Sequence, residues 1–336
     1  MGFVGTRTML RLAVSLLGLA LAAGCSAPAA EPDRAEARTK VVATVGMLAD
    51  VTRVVAGDRA DVVGLMGPGI DPHLHKPTRS DVRALASADV ILYVGLTLEG
   101  RMADALERLR RSGRHVVAVG DAIPHELLRR PDASEGHEGT HYDPHIWMDV
   151  RLWSRCVDRV ATALVEFDPA GAETYRRNAA AYQRELSRLD DYIRQVIATI
   201  PRQQRHLVTA HDAFGYFSRA YDIPVRSVQG ITTESEAGLA DITGLVDFLF
   251  ENDVPAIFIE TSLSPRNLRA VMAGVEARGG EIAIGGELFS DAAGPADSYE
   301  GTYVGMMDHN ATVIAQALGG TAPPRGMAGK LTMVKE

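Results

Sequence analysis

The sequence predicts an α/β protein of two lobes, each a mostly parallel four-stranded sheet flanked by helices, joined by one long rigid backbone helix. Three observations carry this. Residues 168–201 read as one helical run in the middle of the chain, and short β-branched strands alternate with amphipathic helices before it and again after it. Strands and helices that alternate at this spacing imply parallel sheets covered on both faces.

In the central run Asp168 is placed to cap the first turn, Pro169 suits the first helical position and Pro201 stops the helix. Tyr175, Ala179, Tyr182, Leu186, Leu189, Ile193, Val196 and Ile200 recur at three- and four-residue steps. They form one apolar stripe along a rod of about 48 Å at 1.5 Å per residue. The competing reading is a coiled-coil dimer helix. A stripe of about four heptads between two α/β halves fits a spine within one chain better.

Before the spine, Lys40 to Val45 and Asp61 to Met66 read as strands with a helix through Ala56 between them. The loop Gly67 to Pro77 is too rich in Pro and Gly for either element. Thr78 with Asp81 then forms a capping box for a helix to Ser87. Val90 to Val94 and His115 to Val119 follow as strands around a helix from Arg101 to Ser112. A polar loop runs from Pro124 to Pro144, and Val150 to Glu166 is helical. After the spine the expected strands are His206 to Thr209, Pro224 to Val228, Ala256 to Ile259 and Glu281 to Ile284. The helices are Ala213 to Tyr221, Leu239 to Asn252, Pro265 to Ala277 with Ser264 as N-cap, and a last one to Leu318 opened by Asp297 with Glu300.

Length and composition agree with this division. The chain has 336 residues, 46% hydrophobic and 23% charged, enough for two domains with real cores. A formal charge of −8 argues against a nucleic-acid surface and suits a receptor for cations. Residues 1–25 differ in kind. Arg7 and Arg11 precede an apolar stretch from Leu12 to Ala23, which is short for a bilayer span, and small residues lead to Cys25. This resembles a bacterial lipoprotein signal with Cys25 as the lipid site. The alternative is a plain signal peptide. Residues 26–39 read as a flexible tether, 40–167 as the N-terminal lobe and 202–336 as the C-terminal lobe. The second cysteine, Cys156, lies in an apolar helical pattern and reads as a buried thiol.

Four residues stand out for chemistry. His73, His211 and Asp291 fall in loops just past strands, where ligands gather in open parallel sheets, and His145 precedes a helix. Asp71-Pro72-His73 and Asp143-Pro144-His145 repeat one tripeptide. In each, Asp can bond the backbone two residues on while Pro stiffens the loop that presents His. Any one of the four is an ordinary group by itself; the case rests on the set. Three imidazoles and a carboxylate suit tetrahedral zinc, and a bidentate Asp would enlarge the shell for manganese or iron. Four protein ligands leave no open position, which favours holding a metal over using it in catalysis. His137-Glu138-Gly139-Thr140-His141 matches a zinc-protease pattern that requires a helix. Gly136, Gly139 and Pro144 argue for a loop instead. His75 is a spare ligand or an exposed histidine, and Glu260 orients a ligand or satisfies backbone donors.

With these residues in hand, the chain resembles the metal-binding lipoprotein (TroA-like) family, the zinc and manganese receptors of bacterial ABC importers. The resemblance is carried by DPHLHKPTRSDVRALASADVILYVGLTLEG from Asp71, DPHIWMDV from Asp143, TAHDAFGYFSRAYDIP from Thr209, IGGELFSDAAG from Ile284 and EGTYVGMMDHN from Glu300. It implies two lobes on a rigid helix with one metal between them, and its ligands fall on His73, His145, His211 and Asp291. Some members carry Glu where His211 stands, commonly those associated with manganese. The Tyr and the acid usual after the first ligand are here His75 and Lys76, and the His-rich loop of many zinc receptors is short. The implied role is an extracytoplasmic, lipid-anchored monomer that captures zinc or manganese, less readily Fe2+, and hands it to a membrane permease. The other classes are a metal-dependent hydrolase using the same cleft and a surface adhesin with an incidental metal.

Overall fold

The structure is a computed structural model, and it describes residues 38–130 and 142–332. Cys25, the tether to residue 37, and His137 and His141 lie outside the described residues.

The N-terminal half is built on β1 (Thr39–Ala43), β2 (Ala60–Gly64), β3 (Val90–Tyr93) and β4 (His115–Ala118), all parallel in the order β2-β1-β3-β4. Val41, Val90 and Leu92 are wholly buried, as expected of central strands covered on both faces. Helices α1 (Gly46–Ala56), α2 (Arg79–Ser87) and α3 (Ala103–Arg111) connect them. The Thr78/Asp81 capping box at α2 forms, with both reciprocal bonds present.

Helix α4 (Val150–Phe167) leads into a short 3-10 turn, Pro169–Gly171, and then α5 (Ala172–Ala198), the long connecting helix. Its buried face is the stripe the periodicity marks: Tyr175, Ala179, Tyr182, Leu186, Leu189, Ile193 and Val196. The start differs from expectation. The Asp168 side chain makes no cap bond. Instead its Oδ2 accepts from Arg59 Nη2 at 2.7 Å and from the Tyr175 hydroxyl at 2.6 Å, so a long-range ion pair displaces the local cap.

The C-terminal half holds four parallel strands as two two-stranded ladders: β5 (Leu207–His211) with β6 (Val225–Gln229), and β7 (Ala256–Glu260) with β8 (Ala283–Leu288). Beside one another at the ladder junction, β5 and β7 are joined by a side chain. Glu260 Oε1 accepts from the backbone N–H of Ala210 at 2.8 Å and of His211 at 2.9 Å, tying the end of β7 to the end of β5. Helices α6 (Gly215–Tyr221), α7 (Leu239–Glu251), α8 (Arg266–Glu276) and α9 (Tyr303–Ala317) complete the half. Ser264 Oγ meets the Arg266 N–H only at 3.4 Å and Pro265 stands at the N-cap of α8. Asp297 and Glu300 do not open α9. Thr302 caps it through the Gly305 N–H, and Glu300 Oε1 binds the Thr332 N–H at 2.6 Å, tying the C-terminal segment down.

One continuous apolar core runs from β1 through α4 and α5 to α9, and so belongs to both halves. A second, smaller core under α7 and α8 belongs to the C-terminal half alone. Cys156 is wholly buried in α4, where burial pushes its thiol pKa well up and makes it unreactive. Among the described residues no helix is long and apolar enough to cross a membrane.

Because Leu189 of α5 is fully buried in the shared core, Leu189→Ala should cost about 2–5 kcal/mol in urea unfolding. Arg184→Ala on the exposed face should stay within about 0.5 kcal/mol.

Candidate metal centre

Two of the four residues arrive on copies of one turn and the other two at the ends of strands. His73 comes from the loop after β2, where Asp71 Oδ1 accepts its N–H at 2.8 Å. His145 comes from the second copy of the tripeptide, where Asp143 Oδ1 accepts its N–H at 3.0 Å. Both Asp residues therefore make the turn that the repeat predicts, two residues on. His211 is the last residue of β5, and Asp291 lies just past β8.

The fold brings these four together, two from each half. One ligand atom of each lies within 4.8 Å of all the others, and all four residues are buried, His73 the least at 5% exposed. Asp291 Oδ1 is 3.3 Å from His145 Nε2, and Asp291 Oδ2 is 3.3 Å from His211 Nε2 and 3.9 Å from His73 Nε2. His73 and His145 meet Nε2 to Nε2 at 3.3 Å.

The outer face of each imidazole decides what the inner face can be. His145 Nδ1 lies 2.7 Å from Asp143 Oδ1, and His211 Nδ1 lies 2.6 Å from Glu260 Oε2. A carboxylate at Nδ1 holds the proton there and leaves the Nε2 lone pair facing inward. Within the protein, His211 Nε2 and both Asp291 oxygens are buried without a hydrogen-bond partner. Lone pairs and a carboxylate that converge without a donor call for a cation.

In the metal-free protein, protons answer part of that call. Burial opposes charge on His145, yet Asp143 and Asp291 outweigh it and raise the imidazole to about 9. Burial likewise opposes charge on His211, and Glu260 and Asp291 raise it well above its usual value. Burial dominates at His73 and lowers it to about 3. Asp291 is held well below the usual carboxylate range, because His211 and His145 overcome the burial that would raise it.

Several supporting residues were not singled out by the sequence. Arg129 Nη1 donates to Asp143 Oδ2 at 2.9 Å and to Asp212 Oδ2 at 2.8 Å, so it joins the carboxylate behind His145 to the neighbour of His211. Its guanidinium lies where a side chain on Gly215 would stand, which is why that position has none. Tyr216 accepts from the Arg129 N–H and donates to the Asp143 carbonyl, both at 2.9 Å. Thr233 donates to Asp71 Oδ2 at 2.6 Å. The repeated Asp-Pro-His was the only available signal for Asp143, and its second role at Nδ1 needs the ring rotamer. Of the lesser candidates, Glu260 stands behind His211, whereas His75 Nε2 turns away to Asp81 Oδ2 at 3.1 Å, on the cap of α2.

Fold and site together define a class: an α/β protein of two parallel-stranded halves spanned by a long helix, with a closed three-histidine, one-aspartate group able to hold a metal ion. Comparison with known proteins gives the family. The family model described as "Zinc-uptake complex component A periplasmic" matches residues 41–317, and the chain belongs to that family. It is 43% identical over 309 residues to the zinc-binding protein TroA of Treponema pallidum (strain Nichols), covering 92% of this chain and 98% of the other. It is 41% identical over 295 residues to the manganese-binding lipoprotein MntA of Bacillus subtilis (strain 168), covering 88% and 94%. The solved structure of the periplasmic zinc-binding protein TroA from Treponema pallidum superposes with a TM-score of 0.80 at 45% identity, covering 84% of this chain and 99% of the other.

A histidine raised from 6.5 to about 9 stabilises the metal-free fold fully below pH 6.5, and that contribution disappears as pH rises through about 9. The melting temperature of chelator-treated protein should therefore fall between those two values. His145→Gln should flatten that slope.

Proposed function

We propose that the chain is the extracytoplasmic substrate-binding protein of an ABC importer, which captures a divalent ion, zinc or manganese, and delivers it to a membrane permease. His73, His145, His211 and Asp291 are the ligands. Residues 1–25 are a lipoprotein signal that leaves Cys25 as the lipid site, and residues 26–39 are a tether. The receptor is a monomer of an N-terminal lobe, residues 40–167, a linking helix, 168–201, and a C-terminal lobe, 202–336. The observation that carries this reading is the convergence of four buried side chains with metal-ligating atoms from both halves, among which His211 Nε2 and both Asp291 oxygens have no hydrogen-bond partner.

The donor set fits the cargo. Three neutral imidazoles and one carboxylate suit zinc at four-coordination, and manganese would draw on both Asp291 oxygens. The kinship with one zinc-binding and one manganese-binding relative at similar identity supports leaving both ions in the proposal. Catalysis is disfavoured on the same geometry. A hydrolase needs an open metal position and a free general base, whereas all four groups face one another and Glu260 is engaged by His211 Nδ1. Binding displaces the protons held at His145 and His211, so capture is favoured at higher pH and release by protonation.

Metal analysis and competition binding on residues 26–336 test the proposal. One tightly bound ion per chain is expected, and His211→Ala should lose it while the circular dichroism stays unchanged. Retained tight binding in that variant, or no stoichiometric ion in folded wild type, overturns the assignment. Glu260→Gln keeps the shape and removes the charge behind His211, and it should weaken binding about tenfold to hundredfold.

A further inference from the structure

Resting on that reading, the surroundings of Asp291 bear on which ion the site prefers. Both of its oxygens face the imidazoles, Oδ1 towards His145 and Oδ2 towards His211 and His73. A carboxylate on an unrestrained loop would be free to turn one oxygen away. Here the two residues before it are held by their backbones. The Asn310 side chain accepts the Phe289 N–H at 2.9 Å and donates to the Phe289 carbonyl at 2.7 Å, gripping that residue at both ends. The Trp147 indole N–H donates to the Ser290 carbonyl at 2.9 Å, across from the other half of the chain.

Trp147 acts at two places at once. Its ring meets the His145 ring edge-on, with centroids 5.2 Å apart, while its N–H holds the strand of backbone that leads to Asp291. Its own carbonyl accepts the Tyr303 hydroxyl at 2.6 Å, so α9 supplies both Tyr303 and Asn310 to the same frame. Trp147, Asn310 and Ser290 are fully buried, and none has solvent to replace a lost bond.

We propose that Trp147 and Asn310 are specificity-determining positioning residues, which hold Asp291 so that both oxygens face the ion and favour manganese relative to zinc. Five protein donor atoms, three nitrogen and two oxygen, suit an ion that takes a larger, oxygen-richer shell. Zinc is satisfied by four. A small rotation of Asp291 removes one oxygen, which costs manganese a ligand and leaves zinc its tetrahedron.

The test is competition binding of Zn2+ and Mn2+ to metal-stripped residues 26–336, as wild type, Trp147→Phe and Asn310→Ala. Trp147→Phe keeps an aromatic ring near His145 while removing the donor to Ser290 along with part of the buried indole, and it is read should Asn310→Ala fail to fold. The manganese affinity should drop about tenfold to hundredfold, with zinc affinity falling distinctly less. Cobalt substitution gives the coordination number independently: the visible absorption of the Co2+ form should strengthen in the variants as five-coordination gives way to four. Equal losses for both ions, or a cobalt spectrum identical to wild type, would show a structural role only and overturn the inference. Wild type that binds no ion would instead remove the functional reading beneath it.

Discussion

Three imidazole nitrogens and a carboxylate are held within a few ångströms of one another and out of water, with His211 Nε2 and both Asp291 oxygens lacking a hydrogen-bond partner. Left empty, such a group is expensive, since desolvated lone pairs have no compensating bond. Much of the surrounding structure can be understood as the means of holding it. Asp143 and Glu260 fix two rings from behind, and Arg129 keeps Asp143 and Asp212 compensated. Protons on His145 and His211 relieve the metal-free state, which makes the site responsive to pH as well as to the ion.

The spine explains how two halves of one chain hold such a group together, with one ligand atom of each residue within 4.8 Å of the others. Helix α5 buries one face along its length, and the apolar core it helps build continues into both halves. A continuous close-packed core resists shear, because displaced side chains lose many contacts at once. The second core under α7 and α8 lies outside this body. The contacts from the loop at Thr233 and Glu234 reach Asp71 and Arg101 in the first half through one hydrogen bond and one exposed ion pair, weaker ties than the core. Strand β5 packs into both cores, through Leu207 on the shared one and Val208 and Ala210 on the smaller one, while Leu288 at the end of β8 lies in the shared core.

The elements were legible wherever a local rule fixes them. The α5 stripe follows the helical period, the Thr78/Asp81 box forms, and the two Asp-Pro-His turns close as their chemistry requires. Local rules failed where a distant partner offered a stronger bond. Asp168 turns to Arg59 and Tyr175 rather than capping its own helix, and Glu300 takes the Thr332 N–H while Thr302 caps α9. At the junction of the two C-terminal ladders Glu260 accepts two backbone donors at the end of β5, a contact that depends on a residue about fifty positions away.

By itself the sequence determined the alternation of strands and helices, the long spine, and the four residue types with the donor chemistry of a metal site. Periodicity, turn chemistry and ligand preference are properties of short segments, so they can be read without coordinates. Tertiary structure alone decided that His73, His145, His211 and Asp291 share one buried point while His75 turns to Asp81, and that Trp147, Asn310 and Arg129 brace the frame. Apart from His75 and Asp81, six positions apart, those contacts join residues separated by 21 positions, as for Asn310 and Phe289, up to 218, as for His73 and Asp291, and only the folded backbone brings such groups together.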